Sequence, residues 1–224
     1  MNKFFGILRK CPLFNGIEDS SLISMLACLG GVVKKYAKKE TVLREGEPAR
    51  YIGIVLDGAV RIEQTDYYGN RTIIGKIESP QLFGESFACA GVDAVPVSVI
   101  AEEETQVMLI EHGRMLHSCG NACDFHRRLI YNLMQIVAVK NLIFHQKIEI
   151  TSKKTTRERL IAYLLLQAKN AGENSFEIPY NRQELADYLE VDRSGLSVEI
   201  SKLQREGKII ANRKKFTLIK ELYS

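Results

Sequence analysis

From Asn121 to Ala171 the chain contains no Pro and no Gly. A stretch of that length with no helix breaker is compatible with few structures other than long helix. Within it Ile130, Leu133, Val137, Asn141, Phe144 and Ile148 recur at three- and four-residue steps, the helical period. The periodic run, from about Gly120 to Glu149, is about eight turns, well beyond the usual three. One apolar seam along such a rod needs a cover. Either the chain's own strands supply it or the same helix of a second copy does, as a two-stranded coiled coil. The length favours the second copy, with Asn141 as a polar residue able to fix register.

The residues before the rod have a different texture. Short β-rich pieces recur at Thr41–Leu43, Tyr51–Leu56, Ala59–Glu63, Thr72–Ile77, Val97–Ala101 and Val107–Ile110. Gly46-Glu47-Pro48, Asp57-Gly58, Tyr68-Gly69-Asn70 and Ser79-Pro80 punctuate them. Asp57-Gly58 between two apolar runs predicts a hairpin. Leu22, Leu26 and Leu29 predict a helix ahead of the strands. Strands at this spacing predict a sandwich, a jelly roll or a small barrel.

After the rod, Thr151-Ser152-Lys153-Lys154-Thr155-Thr156 is polar, basic and rich in capping residues, and it predicts a hinge. A new helix is expected from about Arg157 through Leu160, Tyr163, Leu164 and Leu165, with a loop at Gly172–Ser175. Asn181-Arg182-Gln183-Glu184 is a capping box, and the helix it opens turns Leu185, Ala186 and Leu189 inward. Glu190-Val191-Asp192 breaks that helix. Asp192 caps a second one with Leu196, Ile200 and Leu203 inside, and Gly207 ends it. Asn212-Arg213-Lys214-Lys215 between Lys208-Ile209-Ile210 and Phe216–Ile219 predicts a hairpin with a basic tip. Together these pieces form a winged helix-turn-helix.

Charge agrees with that assignment. Residues 1–150 hold 17 Lys and Arg against 17 Asp and Glu, whereas residues 151–224 hold 14 against 10. The whole excess of +4 lies where the helix-turn-helix lies. In this fold the second helix enters the major groove, so Arg193, Ser194 and Ser197 are the candidate base-reading residues. An Arg can hold guanine O6 and N7 together. Arg182, Gln183, Lys202, Arg213, Lys214 and Lys215 are candidates for phosphate contacts, which hold register without reading sequence.

In this order of parts the chain resembles the Crp/Fnr family of bacterial transcription regulators. The resemblance rests on Glu45-Gly46-Glu47, Leu56-Asp57-Gly58, Tyr68-Gly69-Asn70 and Phe83-Gly84-Glu85-Ser86. It rests more specifically on Arg182-Gln183-Glu184-Leu185-Ala186 and Val191-Asp192-Arg193-Ser194-Gly195-Leu196-Ser197. It implies an α+β fold with a double-stranded β-roll (a jelly roll like a cyclic-nucleotide-binding domain) at residues 1–118. A long dimerisation helix follows at 119–150, then a winged helix-turn-helix at 151–224. It further implies a homodimer on double-stranded DNA with two-fold-related half-sites, action on RNA polymerase, and a signal in the roll that resets the hinge. Phe83, Gly84, Glu85 and Ser86, with Phe144 and His145 on the long helix, become the candidate effector contacts.

The sequence departs from that family in its sensor. Members that bind cyclic AMP keep Arg-Ser or Arg-Thr roughly ten residues after their Gly-Glu, and this Arg pairs with the cyclic phosphate. Here the stretch reads Val92-Asp93-Ala94-Val95-Pro96-Val97-Ser98, with no cation. Cyclic AMP is therefore disfavoured, and the small-molecule effector is left open. Val198 stands where many members carry a second Arg, so sequence reading leans on Arg193. Cys119, Cys123 and His126 have spacings that share one helix face, which allows a metal, haem or thiol-redox reading against that of two buried thiols and a surface histidine. No fourth ligand is apparent, and Cys89 or His117 are candidates by availability alone. Cys11 and Cys28 lack the clustering of an iron–sulfur site. Five cysteines without a secretion signal point to reduced thiols in a cytoplasm. No apolar run reaches the roughly 20 residues of a membrane helix, and no catalytic constellation argues for an enzyme. The rival from another class is a metabolite-sensing module that docks a protein and not DNA.

Overall fold

The computed structural model describes residues 2–65, 67–68, 71–116 and 124–219. The chain divides into two compact units with the boundary between Val139 and Lys140, inside the long helix.

The first unit opens with a short helix α1 (Phe5–Leu8), a 3-10 turn at Pro12–Phe14 and helix α2 (Asp19–Leu29). Leu22, Leu26 and Leu29 are buried, as their spacing requires, and Gly30 closes α2 with a left-handed φ of +58°. Among the described residues eight strands follow: β1 (Val32–Tyr36), β2 (Thr41–Leu43), β3 (Tyr51–Asp57), β4 (Ala59–Thr65), β5 (Arg71–Glu78), β6 (Leu82–Phe83), β7 (Ser98–Ala101) and β8 (Thr105–Glu111). They form two antiparallel four-stranded sheets, ordered β1-β8-β3-β6 and β2-β7-β4-β5. Helix α3 (Glu85–Ala90) interrupts them, and α4 (His112–Leu116) follows them. The jelly-roll expectation is met.

One turn differs from its expectation. Asp57-Gly58 does not close a hairpin. It carries the chain from one sheet to the other, because β3 pairs with β8 and β6 while β4 pairs with β5 and β7. The glycine is needed all the same. Its φ is +76°, and a Cβ there would meet the Glu104 carbonyl at 2.6 Å. β3 also explains the misreading, since Ile52 to Leu56 are buried on both faces and so carry no alternation to reveal the partner sheet.

Helix α5 runs Asp124–Thr151. Its first half lies on the roll. Leu129 and Leu133 are buried in the roll's core with Phe125 and Ile136 beside them. Asn132 Nδ2 donates to the carbonyls of Leu13 (2.9 Å) and Asn15 (2.8 Å). At 100° per residue these positions share one face, and Ile130, Met134, Val137, Asn141, Leu142 and Ile148 lie on the opposite side. Leu133 was expected in the dimer seam. It is instead 2% exposed within its own unit, and Met134, 65% exposed, takes its place on the outer face.

The second unit contains the rest of α5, then α6 (Thr156–Ala171), β9 (Ser175–Glu177), α7 (Arg182–Leu189), α8 (Arg193–Arg205), β10 (Ile209–Asn212) and β11 (Lys215–Leu218). The strands form one sheet, β10-β11-β9. Its core joins Ile150, Leu160, Tyr163, Leu164, Phe176, Leu185, Ala186, Leu189, Leu196, Ile200, Leu203, Ile209 and Phe216. Each large side chain so buried contributes about 1.5–3 kcal/mol. Strand β9 begins at Ser175, the last residue of the expected loop, and its three residues are too few to show a period. The hinge is short. α5 stops at Thr151, and Thr155 caps α6 reciprocally with Glu158 (3.1 and 3.0 Å).

Candidate nucleic-acid interface

The helix-turn-helix is built by its caps. Asn181 Oδ1 accepts the amides of Gln183 (2.9 Å) and Glu184 (3.0 Å), and the Glu184 carboxylate accepts the Asn181 amide (2.6 Å). α7 ends at Glu190, which adopts φ +55°, a conformation costly for any residue with a Cβ. Asp192 then starts α8, accepting the Gly195 amide (2.9 Å) and the Ser194 hydroxyl. These bonds, led by the Ser194 hydroxyl, hold the Asp192 carboxyl below the usual carboxylate range. Buried Ala186 lets α7 and α8 approach, and Leu196, Ile200 and Leu203 bury the inner face of α8. Arg193, Ser194 and Val198 are left on the exposed face with Ser197 half-buried between them.

The reading residues are not equivalent. Among the described residues Arg193 has no ion-pair partner. The Ser194 hydroxyl is engaged by Asp192, and the Ser197 hydroxyl donates to the Arg193 carbonyl (2.9 Å). Both serines keep oxygen lone pairs to accept with. The far end of α8 is fixed to α6, where Arg157 grips the Glu206 carboxylate with both terminal nitrogens, one at 2.8 Å. That grip lowers the Glu206 pKa and raises that of Arg157.

The candidate phosphate residues also separate. Arg182 is half-buried with its guanidinium 5.8 Å from the centroid of the Phe216 ring, and burial lowers its pKa. It lines an open recess of about 660 Å³ with Glu177, Asn181, Asn212, Arg213, Lys214 and Lys215. Arg213 (φ +51°) and Lys215 are exposed at the wing tip. Lys214 instead donates to the Pro179 carbonyl (2.6 Å) and so braces the wing. Lys202 pairs with Glu199 (2.7 Å), and Gln183 Nε2 donates to Asp187 (2.8 Å). The sequence reading missed Asn212 and Asn181 as members of this recess. A turn asparagine beside three cations was the available signal.

In the roll, Phe83 is buried over Gly53, where a Cβ would meet its ring at 2.1 Å. Gly84 (φ +77°) precedes α3, Glu85 is buried, and Ser86 donates to Glu85 Oε1 (3.4 Å). The segment that follows packs on residues 46–49 through Gly46 N to Val95 O (2.9 Å) and Val95 N to Glu47 O (2.9 Å). Val95 and Val97 are buried there. The part-buried cation of β4, Arg61, is paired with Glu63. Phe144 and His145 are exposed on α5. Cys119, Cys123 and His117 lie outside the described residues. His126, read as a surface side chain or a ligand, is buried with Nε2 3.1 Å from the Met115 carbonyl. Among the described residues no cluster of three His, Cys, Asp or Glu could hold a metal, and no helix is long and apolar enough to cross a membrane.

Two families match the chain. Residues 33–120 match the cyclic nucleotide-binding domain and residues 158–222 the Crp-like helix-turn-helix domain. The transcriptional activator protein FnrA of Stutzerimonas stutzeri is 26% identical over 93% of this chain and 84% of its own length. FixK2 from Bradyrhizobium japonicum shares the fold with a TM-score of 0.52 at 22% identity, over 85% of this chain and 93% of that one. The global regulator CLP of Xanthomonas campestris does so with a TM-score of 0.60 at 19% identity, over 90% and 100%.

Proposed function

The chain belongs to the Crp/Fnr family of transcriptional regulators, and from that premise we propose that it reads double-stranded DNA with the amino end of α8. The observation that carries this is the exposed Arg193 on the first turn of a helix capped by Asp192, beside a basic wing. Arg193 donates two hydrogen bonds to guanine O6 and N7, and Ser194 and Ser197 accept from neighbouring bases. Arg182, Arg213 and Lys215 hold phosphates across the recess, while Lys214 and Lys202 position the wing and the helix. The dimer seam is Ile130, Met134, Val137, Asn141, Leu142 and Ile148, with Phe144 at its margin. A two-fold dimer presents two reading helices to two half-sites. The protein acts in the cytoplasm, where it recruits or obstructs RNA polymerase. Residues 1–118 form its effector domain, 119–150 its dimerisation helix and 151–224 its DNA-binding domain.

A cyclic nucleotide does not fit the roll. Its phosphate would need a charge-assisted partner. The segment 92–98 instead offers buried Val95 and Val97, and Arg61 is already paired. Phe83 fills the space over Gly53, and Glu85 adds a buried carboxyl beside the same turn. The effector is therefore of another class.

The test is competition binding to duplexes selected from fragmented genomic DNA. Arg193→Ala should lower discrimination at one guanine by about 1–3 kcal/mol and leave non-specific binding intact. Unchanged base preference would remove α8 from the groove.

A further inference from the structure

Arg159 lies at the start of α6, and its guanidinium makes three hydrogen bonds to main-chain carbonyls. Nε donates to Lys153 O (2.9 Å) in the hinge. One terminal nitrogen donates to Leu189 O (3.1 Å) and Glu190 O (2.9 Å), the last carbonyls of α7. Glu190 is the left-handed residue of the helix-turn-helix, two positions before the Asp192 cap. Its side chain is held too, by Lys147 of α5 at 3.5 Å. The Lys147 ammonium also lies 5.7 Å from the Tyr188 ring, which stacks on Tyr180 at 5.0 Å. A residue with a Cβ at φ +55° relaxes unless its surroundings hold it. A cation on the final carbonyls of a helix is also favoured by the helix dipole.

We propose that Arg159 is a positioning residue for DNA reading: by clamping the hinge carbonyl of Lys153 to the α7 terminus at Leu189 and Glu190, it fixes the turn from which Asp192 and Arg193 project. Three carbonyls on two segments meet one planar fork, which no lysine or glutamine can imitate. A change in hinge geometry then reaches the base-reading end of α8 through the Glu190 backbone. This rests on the assignment of α8 as the reading helix.

The experiment uses the full-length protein with R159Q and R159K, and has two arms. The first compares specific with non-specific duplex binding over a salt series. A positioning role predicts that both variants lose about tenfold in specific affinity, within the usual range of coupling between sites, with the salt slope unchanged. A phosphate contact would instead be rescued by Lys and would lower the slope by about one in R159Q. That pattern, or an unaltered ratio of specific to non-specific binding, overturns the proposal. The second arm needs no DNA. Amide hydrogen exchange at Val191–Gly195 should quicken in both variants while the amides of Leu160–Leu164 keep their wild-type rates. Equal rates at Val191–Gly195 overturn the clamp even if R159Q unfolds, because R159K keeps the charge and stem. Failure of the wild type to bind any duplex would sink the DNA-reading assignment and leave the exchange arm to judge the clamp by itself.

Discussion

In the first half of α5, Phe125, Leu129, Leu133 and Ile136 are gathered in by the chain's own roll, whereas Leu142, Ile143, Phe144 and Ile148 stand in solvent at 53–62% exposure. One uninterrupted helix is therefore covered in its first half and largely uncovered in its second. Its first half is tied by Asn132 to the carbonyls of Leu13 and Asn15, so its neighbours are fixed by the chain itself. The second half belongs to the DNA-binding unit, and only Ile150 of its last two turns enters that unit's core. At 100° per residue the consecutive Leu142, Ile143 and Phe144 lie on different sides of the helix, while Ile130, Met134 and Ile148 fall on the face opposite the roll; so much exposed apolar surface is unusual for a surface helix. Helical spacing alone therefore does not separate a covered seam from an uncovered one. Leu133 and Ile148 have the same periodic credentials and opposite burial.

The largest effect should follow from charging the uncovered half. Leu142→Glu with Ile148→Glu is expected to convert the protein to a monomer by sedimentation and to reduce affinity for a two-fold site by about 10²- to 10⁴-fold. That range corresponds to the loss of bivalent engagement. A dimer that persists in the double variant would break the division between the two halves. The covered half should answer differently. Leu133→Ala is expected to cost about 2–5 kcal/mol of stability in urea unfolding, as buried leucines do, because it opens a cavity beneath the roll. Its sedimentation should stay that of the wild type. Dissociation of Leu133→Ala at full stability would mean that Leu133 belongs to the interchain seam after all.

Much of this molecule was legible because its local chemistry is punctuated. Asn181, Asp192 and Gly207 each mark a helix end whose backbone groups need a partner or a left-handed turn, and each stands where its type demands. The strands were visible as apolar runs, yet their pairing was not. Gly58 announces a left-handed residue without saying whether the chain returns to the same sheet or crosses to the other. β9 and β6 are too short to have a period, and the lysines of β1 leave only Tyr36 fully buried on that edge strand. In the interface, Arg193 was readable from its place after a cap. The engagement of Lys202 with Glu199 and of Lys214 with Pro179 was not, because those partners depend on side-chain reach across a turn. Arg159 was invisible for the same reason. Its three carbonyl partners are about 6 to 31 residues away in sequence, and a lone arginine at a helix start reads as a solvated charge.

The smallest expected effect concerns Cys11, just before the turn that Asn132 holds. Burial raises its thiol pKa to about 12, against a partial opposing contribution from the Leu13 backbone. The thiol is therefore protonated and unreactive at neutral pH. Cys28 is exposed, and Cys89 is exposed with a pKa raised first by burial and then by Glu85. Iodoacetamide at pH 8, followed by peptide mapping, should label Cys28 quickly and Cys89 more slowly. Cys11 should be spared until the protein is unfolded, and Leu133→Ala should shorten that protection if the first half of α5 seals the turn. The sign of the pH dependence follows from the raised value. The folded state keeps the Cys11 proton that the unfolded chain releases near pH 8.5, so the stability this group contributes is complete below that pH and falls as pH rises towards 12. Early labelling of Cys11 in the wild type would show that the turn opens freely, and with it the half of α5 that the roll is held to own.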